Sequence, residues 1–260
     1  MKLRPDDAPL VHCITNPIAI KMSANAILAL GRRPIMVEHP EEVKEITQTA
    51  AAVCVNLGNI TDVRIKSISK SVKTAKKCGA PVVMDLVGVS CSKLRKRLAL
   101  KLLKKYPVSV IKGNYSEIFA MWEKEYTGSG VDAEQGLSEK CVRAAAAALA
   151  EKYRCTVLAS GKTDIIADGV QVIYIKNGCP ALAEITGTGC MLGAICACFL
   201  TEADALTAAT YAAAVLGICG EKSGGGNGSF EVGLMDNLSE ITEEEIEKNM
   251  KKEVEYIEKI

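Results

Sequence analysis

Apolar residues gather in short runs rich in β-branched side chains at Leu10–Ile14, Ala52–Leu57, Pro81–Leu86, Val108–Lys112, Thr156–Ala159 and Val170–Ile175, each closed by Gly, Pro or polar residues. Runs of this kind are mostly apolar and do not alternate regularly, which is the pattern of strands covered on both faces. Between and after them the apolar positions take helical spacing over Ile18–Leu30, Glu41–Thr49, Asp62–Cys78, Ser92–Lys105, Ser116–Trp122, Gln135–Lys152, Thr188–Leu200, Asp204–Lys222 and Thr242–Ile260. Strands alternating with helices predict an α/β fold with a mostly parallel central sheet and helices on both faces. In the last helical stretch Ile246, Met250, Val254 and Ile257 recur at helical spacing behind the acidic turn Glu243–Glu245, which suits a positive helix N-terminus and an inward apolar stripe.

No proline-rich, serine-rich or charged linker interrupts the 260 residues and no fixed-period repeat occurs, so one domain over 1–260, without a separate lid, is expected. The chain is 48% hydrophobic and 24% charged, with 32 Lys and Arg against 31 Asp and Glu. A net charge of +1 supplies no field for nucleic acid or an anionic membrane, and aromatics at 4% with one tryptophan, Trp122, supply no stacking platform. The basic cluster Lys93, Arg95, Lys96, Arg97, Lys101, Lys104 and Lys105 falls on a helix whose Leu94, Leu98 and Leu102 are expected to face inward, the arrangement of a solvated helix face. Eleven cysteines, an odd number set mostly in apolar segments, read as free thiols, and the opening MKLRPDDAP has no apolar signal region. A reducing cytoplasmic location is therefore expected. The longest apolar stretch, near Ala194–Leu200, is far shorter than a membrane span, and the C-x-C of Cys196 and Cys198 with His12 and His39 elsewhere makes no zinc pattern.

The chemistry concentrates in Thr186-Gly187-Thr188-Gly189-Cys190-Met191-Leu192-Gly193, small residues that open a helix directly after a loop. Glycines there let backbone N–H groups approach an anion that the helix N-terminus also attracts; close helix packing is the alternative reading. The spacing G-x-G-x-x-x-G misses the dinucleotide fingerprint. Cys190, in the first helical turn, is expected to have a lowered pKa and to act as nucleophile, base or anchor; its alternative is a small buried apolar group. Ser160-Gly161-Lys162-Thr163 resembles the end of a phosphate loop, but Thr156 stands where the first glycine is required. Asp85 closes one apolar run and Glu117 follows another, placing both at the ends of parallel strands where α/β sheets bind ligands. Carboxylates beside a phosphate cradle suit Mg²⁺; otherwise each is a helix cap or surface charge.

In this order the pieces resemble the hydroxyethylthiazole kinase family of the ribokinase-like superfamily. The likeness runs through His12-Cys13-Ile14-Thr15-Asn16, Ser23-Ala24-Asn25, Leu30-Gly31, Pro34-Ile35-Met36, Val55-Asn56-Leu57-Gly58, Asp85-Leu86-Val87-Gly88, Lys112-Gly113-Asn114 with Glu117, Ser160-Gly161, Asp164 with Asp168, and Thr186 to Cys190. The resemblance implies transfer of the ATP γ-phosphoryl group to the primary alcohol of 5-(2-hydroxyethyl)-4-methylthiazole in thiamine synthesis or salvage, by a homotrimer with shared active sites. It places Met36, Asn16 and Gly187 at the thiazole, Lys112, Ser160 and Gly189 at ATP, Asp85 and Glu117 at Mg²⁺, and Cys190 where sugar-kinase relatives carry an aspartate base. Cys13 stands where the family has Asn, Leu86 where it has Pro, and Lys112 where Arg is common. Kinases of other heterocyclic alcohols, a non-catalytic nucleotide sensor and a thiol-redox protein are the competing readings.

Overall fold

The computed structural model describes residues 2–123, 126 and 137–257. One nine-stranded sheet organises it, in the order β2-β1-β3-β4-β5-β6-β7-β8-β9. Its strands are β1 (Leu10–Ile14), β2 (Arg33–Ile35), β3 (Ala52–Asn56), β4 (Val82–Asp85), β5 (Val110–Asn114), β6 (Thr156–Ser160), β7 (Asp164–Ala167), β8 (Gln171–Ile175) and β9 (Lys252–Tyr256). The pairings from β2 to β6 are parallel, and those from β6 to β9 antiparallel. All strands among the described residues join this sheet, so none forms a separate lid.

The helices are α1 (Ile20–Ala29), α2 (Val43–Thr49), α3 (Asp62–Cys78), α4 (Lys93–Leu103), α5 (Tyr115–Trp122), α6 (Glu139–Tyr153), α7 (Ala181–Glu184), α8 (Thr188–Phe199), α9 (Ala205–Lys222), α10 (Asn227–Glu240) and α11 (Glu243–Asn249). Successive strand residues point to opposite faces, and this divides the core in two. Ala52 and Cys54 of β3, Val83 of β4 and Val110 of β5 pack under α1, α8, α9 and α10. Val53, Val55, Met84 and Ile111 pack under α3, α4, α5 and α6. The same alternation carries Asn56, Asp85 and Lys112 onto the α8 face at the ends of their rows.

Six strands and the helices from α1 to α6, α8 and α9 lie where the hydrophobic spacing predicts them, with shifts of a few residues at their ends. The onset expected at Gln135 lies outside the described residues. The continuous helix expected over Thr242–Ile260 is corrected: α11 ends at Asn249, and Lys252–Tyr256 pairs antiparallel with β8, Val254 opposite Ile173. Edge pairing on β8 overrides the helical spacing, with Glu255 reaching Arg143 and Tyr174 and Glu253 reaching Lys176. Ile246 is buried, whereas Val254 is exposed, so that stripe is not one core face. Residues 258–260 lie outside the described residues.

Sequence spacing also misses β2 and β7, which are three and four residues long, the four-residue α7, and α10. Gly224, Gly225, Gly226, Gly228 and Gly233 give α10 the look of a loop, yet it buries Phe230, Leu234 and Leu238 at intervals of four. On α4, Leu98 and Leu102 are buried but Leu94 is exposed. Residues four apart drift about 40° per step around a helix, which carries Leu94 to the rim.

Candidate active site

The strand register aligns three polar residues across three neighbouring strands: Asn56 lies opposite Asp85, and Asp85 opposite Lys112. All three are buried. Lys112 Nζ lies 3.3 Å from Asp85 Oδ1, and Asn56 Nδ2 donates to Asp85 Oδ2 at 2.9 Å. Asn16, just beyond β1, donates through Nδ2 to Asn56 Oδ1 at 3.3 Å and to Cys190 Sγ at 3.2 Å, and accepts from the Ala19 N–H at 3.2 Å. A continuous polar chain thus links Asn16, Asn56, Asp85 and Lys112 beneath the first turn of α8.

That turn is shaped by glycine. Gly187 caps α8 at φ 102°, a conformation that side-chain-bearing residues avoid. A β-carbon on Gly189 would sit 3.6 Å from Lys112 Nζ, and one on Gly193 would sit 3.5 Å from Asp85 Oδ2, so both glycines let the helix lie close over the charged pair. The Thr188 N–H donates to Ile185 O at 3.5 Å, whereas helix geometry leaves the Gly189 and Cys190 N–H groups without intrahelical acceptors one turn away. Together with the Lys112 ammonium they form a site for an anion.

Burial raises the Asp85 carboxyl above its ordinary pKa, opposed by Lys112 and Asn56. Burial also works against the Lys112 charge, but Asp85, Glu117 and Cys190 outweigh it and hold the ammonium above its ordinary value. Glu117 is pushed up to about 7 by burial and by Asp85, against Lys112 and two backbone N–H groups. Its Oε1 accepts from Gly88 N–H at 2.7 Å and its Oε2 from Asn114 N–H at 2.8 Å, so it clips the loop after β4 to the start of α5 and completes a capping box there. The lowered Cys190 pKa expected from its place in the helix is corrected: burial and the Asp85 charge push the thiol up to about 11. Desolvation and a neighbouring carboxylate outweigh the helix terminus.

A cavity of about 550 Å³ opens beside the turn, lined by Asn114, Ser160, Thr188 and Gly189 and by the apolar Leu182, Ala213 and Leu216 with Gly217. Ser160 ends β6, and the following Gly161–Thr163 turns into antiparallel β7 instead of a helix, which explains why the partial phosphate-loop motif is not one. Asp164 and Asp168 serve these turns, accepting from Gly161 N–H and from the Val170 and Gln171 N–H groups. Met36 follows β2 and is half-buried against the core under α8. His12 reaches this segment, its Nε2 donating to Val37 O at 2.9 Å while Nδ1 lies 3.0 Å from Thr47 Oγ1.

The structure therefore gathers Asn16, Asp85, Lys112, Gly189 and Cys190 into one constellation. It seats Glu117 behind Lys112, Gly187 against Ala19 and Met22 of the α1 region, and Ser160 in the adjoining cavity. Sequence reasoning did not single out Asn56 as a site residue; the signal was a polar residue ending the apolar run Ala52–Val55. All eleven cysteines are free, and no described helix is long and apolar enough to cross a membrane.

The family model for the hydroxyethylthiazole kinase family matches residues 2–244. The chain is 42% identical over 243 residues to a hydroxyethylthiazole kinase of Finegoldia magna, covering 93% of this chain and 90% of that one. It superposes on the structure of a hydroxyethylthiazole kinase from Pyrococcus horikoshii at a TM-score of 0.87 and 34% identity, covering 97% and 95% of the two chains. A ribokinase-like superfamily protein of Enterococcus faecalis, 14% identical with a TM-score of 0.61 and 90% of each chain covered, shares the fold. On the family match and the Finegoldia relative, this chain belongs to the hydroxyethylthiazole kinase family.

Proposed function

We propose that the site transfers the γ-phosphoryl group of ATP to the primary hydroxyl of 5-(2-hydroxyethyl)-4-methylthiazole, as a step in making or salvaging thiamine. Family membership supports the reaction. The observation that carries the site assignment is the Lys112 ammonium facing the glycine turn of α8 with a cavity beside it.

In this reading the nucleotide lies in the cavity. Its base and sugar lie toward Leu182, Ala213 and Leu216, and its phosphates pass Ser160 to the Gly189 and Cys190 amides and Lys112. The acceptor occupies the side of the turn where Asn16, Met36 and Gly187 lie. Phosphoryl transfer asks for in-line placement and for donors aimed at the equatorial oxygens, which the amides and the ammonium supply. The Cys190 thiol, still protonated at neutral pH, positions the acceptor oxygen and does not take its proton as a ready thiolate. That suits a loose transition state, in which the bond to the departing ADP breaks early and the hydroxyl proton leaves late, to an oxygen of the transferred phosphoryl group and then to water.

Asp85 and Glu117 suit Mg²⁺ held through its waters. Each of their four carboxylate oxygens accepts one hydrogen bond, which leaves lone pairs for metal-bound water. Among the described residues no three His, Cys, Asp or Glu converge into a cage, and Mg²⁺ in kinases keeps several waters and leans on the phosphates. When bound it neutralises charge on the transferring group.

The proposal includes 1–260 as one kinase domain, supported by the single sheet, and a cytoplasmic location, in keeping with the free thiols. It also includes a homotrimer with shared sites, whose interface would cover Ile18, 66% exposed two residues from Asn16. The test is to incubate the purified chain with Mg-ATP and a panel of heterocyclic alcohols and identify the phosphate ester by mass. The thiazole alcohol is expected to be phosphorylated fastest; preference for a pyrimidine methanol, or ATP turnover without any ester, overturns the assignment.

A further inference from the structure

Asn56 ends β3 on the α8 face, and the transfer reaction as described gives it no part. The simplest account is local: its Oδ1 accepts from Gly58 N–H at 2.7 Å, an Asx turn that leads the chain out of the strand. That contact occupies only part of the side chain. The same Oδ1 accepts from Asn16 Nδ2, and two donors on the oxygen fix which way the amide faces, so Nδ2 is presented to Asp85 Oδ2 at 2.9 Å. The space is made for this arrangement. A β-carbon on Gly58 would lie 2.8 Å from Asn56 Oδ1 and 2.9 Å from Asn16 Nδ2, too close for any side chain.

We infer that Asn56 is a positioning residue: it holds the Asp85 carboxylate against Lys112 and Asn16 against Cys190 in one register, so that the phosphoryl and acceptor halves of the site meet in line. This rests on the phosphotransfer reading above. Its oxygen serves the acceptor half and its nitrogen the phosphoryl half, which lets substitutions separate the two.

Asn56→Ser keeps a hydroxyl for the Gly58 turn but is too short to reach Asp85. Asn56→Asp keeps both acceptor contacts and turns an oxygen toward Asp85 in place of the donor. Steady-state kinetics with Mg-ATP and the thiazole alcohol are expected to show kcat down by about 100-fold in both variants. The acceptor KM is expected to rise by about tenfold in Asn56→Ser, and to stay within about threefold in Asn56→Asp, where Asn16 still has its partner. The kcat of Asn56→Ser/Asp85→Asn is expected to be no lower than that of Asp85→Asn alone, because removing the carboxylate charge already removes what Asn56 Nδ2 holds in place, while the acceptor KM still rises as in Asn56→Ser. Thermal melting confirms that each variant assayed is folded; if Asn56→Asp does not fold, Asn56→Ser and the double variant decide. Near-wild-type kinetics in Asn56→Ser, or additive losses in the double variant, overturn the inference and leave a turn residue only. Full turnover in Asp85→Asn instead overturns the phosphotransfer reading beneath it.

Discussion

The Lys112 ammonium lies directly under the first turn of α8, 3.6 Å from the point where a side chain on Gly189 would begin. An alanine at 189 meets only ordinary van der Waals contact and sits in a helix, where it is a better residue than glycine. It stands, however, between the lysine and the free amides, in the space assigned to the terminal phosphate. Gly189→Ala is therefore expected to melt at or slightly above the wild-type temperature while kcat/KM for ATP falls by about 100-fold, the loss seen when an anion-hole donor is blocked. Parallel loss of stability and activity would mean that the glycine serves packing alone.

Gly187 gives the opposite pattern. Its φ of 102° strains any residue with a side chain, while the nearest atoms to a β-carbon there are 3.6 Å away, so the cost is conformational and not steric. Gly187→Ala is expected to lose about 1–2 kcal/mol in urea unfolding. Turnover falls with it because the cap sets the direction of the Thr188–Cys190 amides.

Cys190 has a pKa of about 11, pushed up chiefly by burial and then by Asp85. The thiol is protonated across the neutral range, so no limb of the pH–rate profile between about pH 6 and 9 belongs to it. Cys190→Ala is expected to lower kcat by less than about 100-fold, short of the loss of a true general base, and to leave the profile's shape and both KM values in place. A limb that disappears in the alanine variant would restore the thiolate base.

His12 ties β1 to the segment after Met36, and burial lowers its pKa below the usual 6.5, against weaker opposing effects from Val37 and Glu42. As pH falls through 6.5 the unfolded chain takes up a proton that the folded chain refuses. Stability is therefore present above that pH and lost below it. Glu117, pushed up to about 7, takes up a proton in the folded chain over the same range and adds stability in the opposite sense, so urea unfolding at about pH 7.5 and 5.5 is expected to show wild type faring worse at the lower pH than His12→Gln, in which only the histidine's contribution is gone. An equal loss in both would assign the acid sensitivity to other groups.

Much of this was legible in the chain because the parallel strands are buried on both faces and so read as unbroken apolar runs, as at Ala52–Val55 and Val82–Met84. The glycine turn and the acid ending β4 were visible for a related reason: polar or small residues closing such runs fall at the binding edge of the sheet. What was hidden depended on contacts remote in sequence. Lys252–Tyr256 is a strand only because β8 offers it an edge, and Cys190 loses its expected acidity because the fold buries it and then sets Asp85, more than a hundred positions away, beneath it. Asn56 was passed over because its local turn with Gly58 looks complete until Asn16 and Asp85 are brought to its two ends.

The most direct measurement is a crystal structure of the chain with Mg²⁺ and a non-hydrolysable ATP analogue. The terminal phosphate is expected within hydrogen-bonding distance of the Gly189 and Cys190 N–H groups and of Lys112 Nζ, with the adenine in the cavity bounded by Leu182 and Leu216. A terminal phosphate bound elsewhere, with the turn at 187–190 closed by protein atoms, would contradict the account.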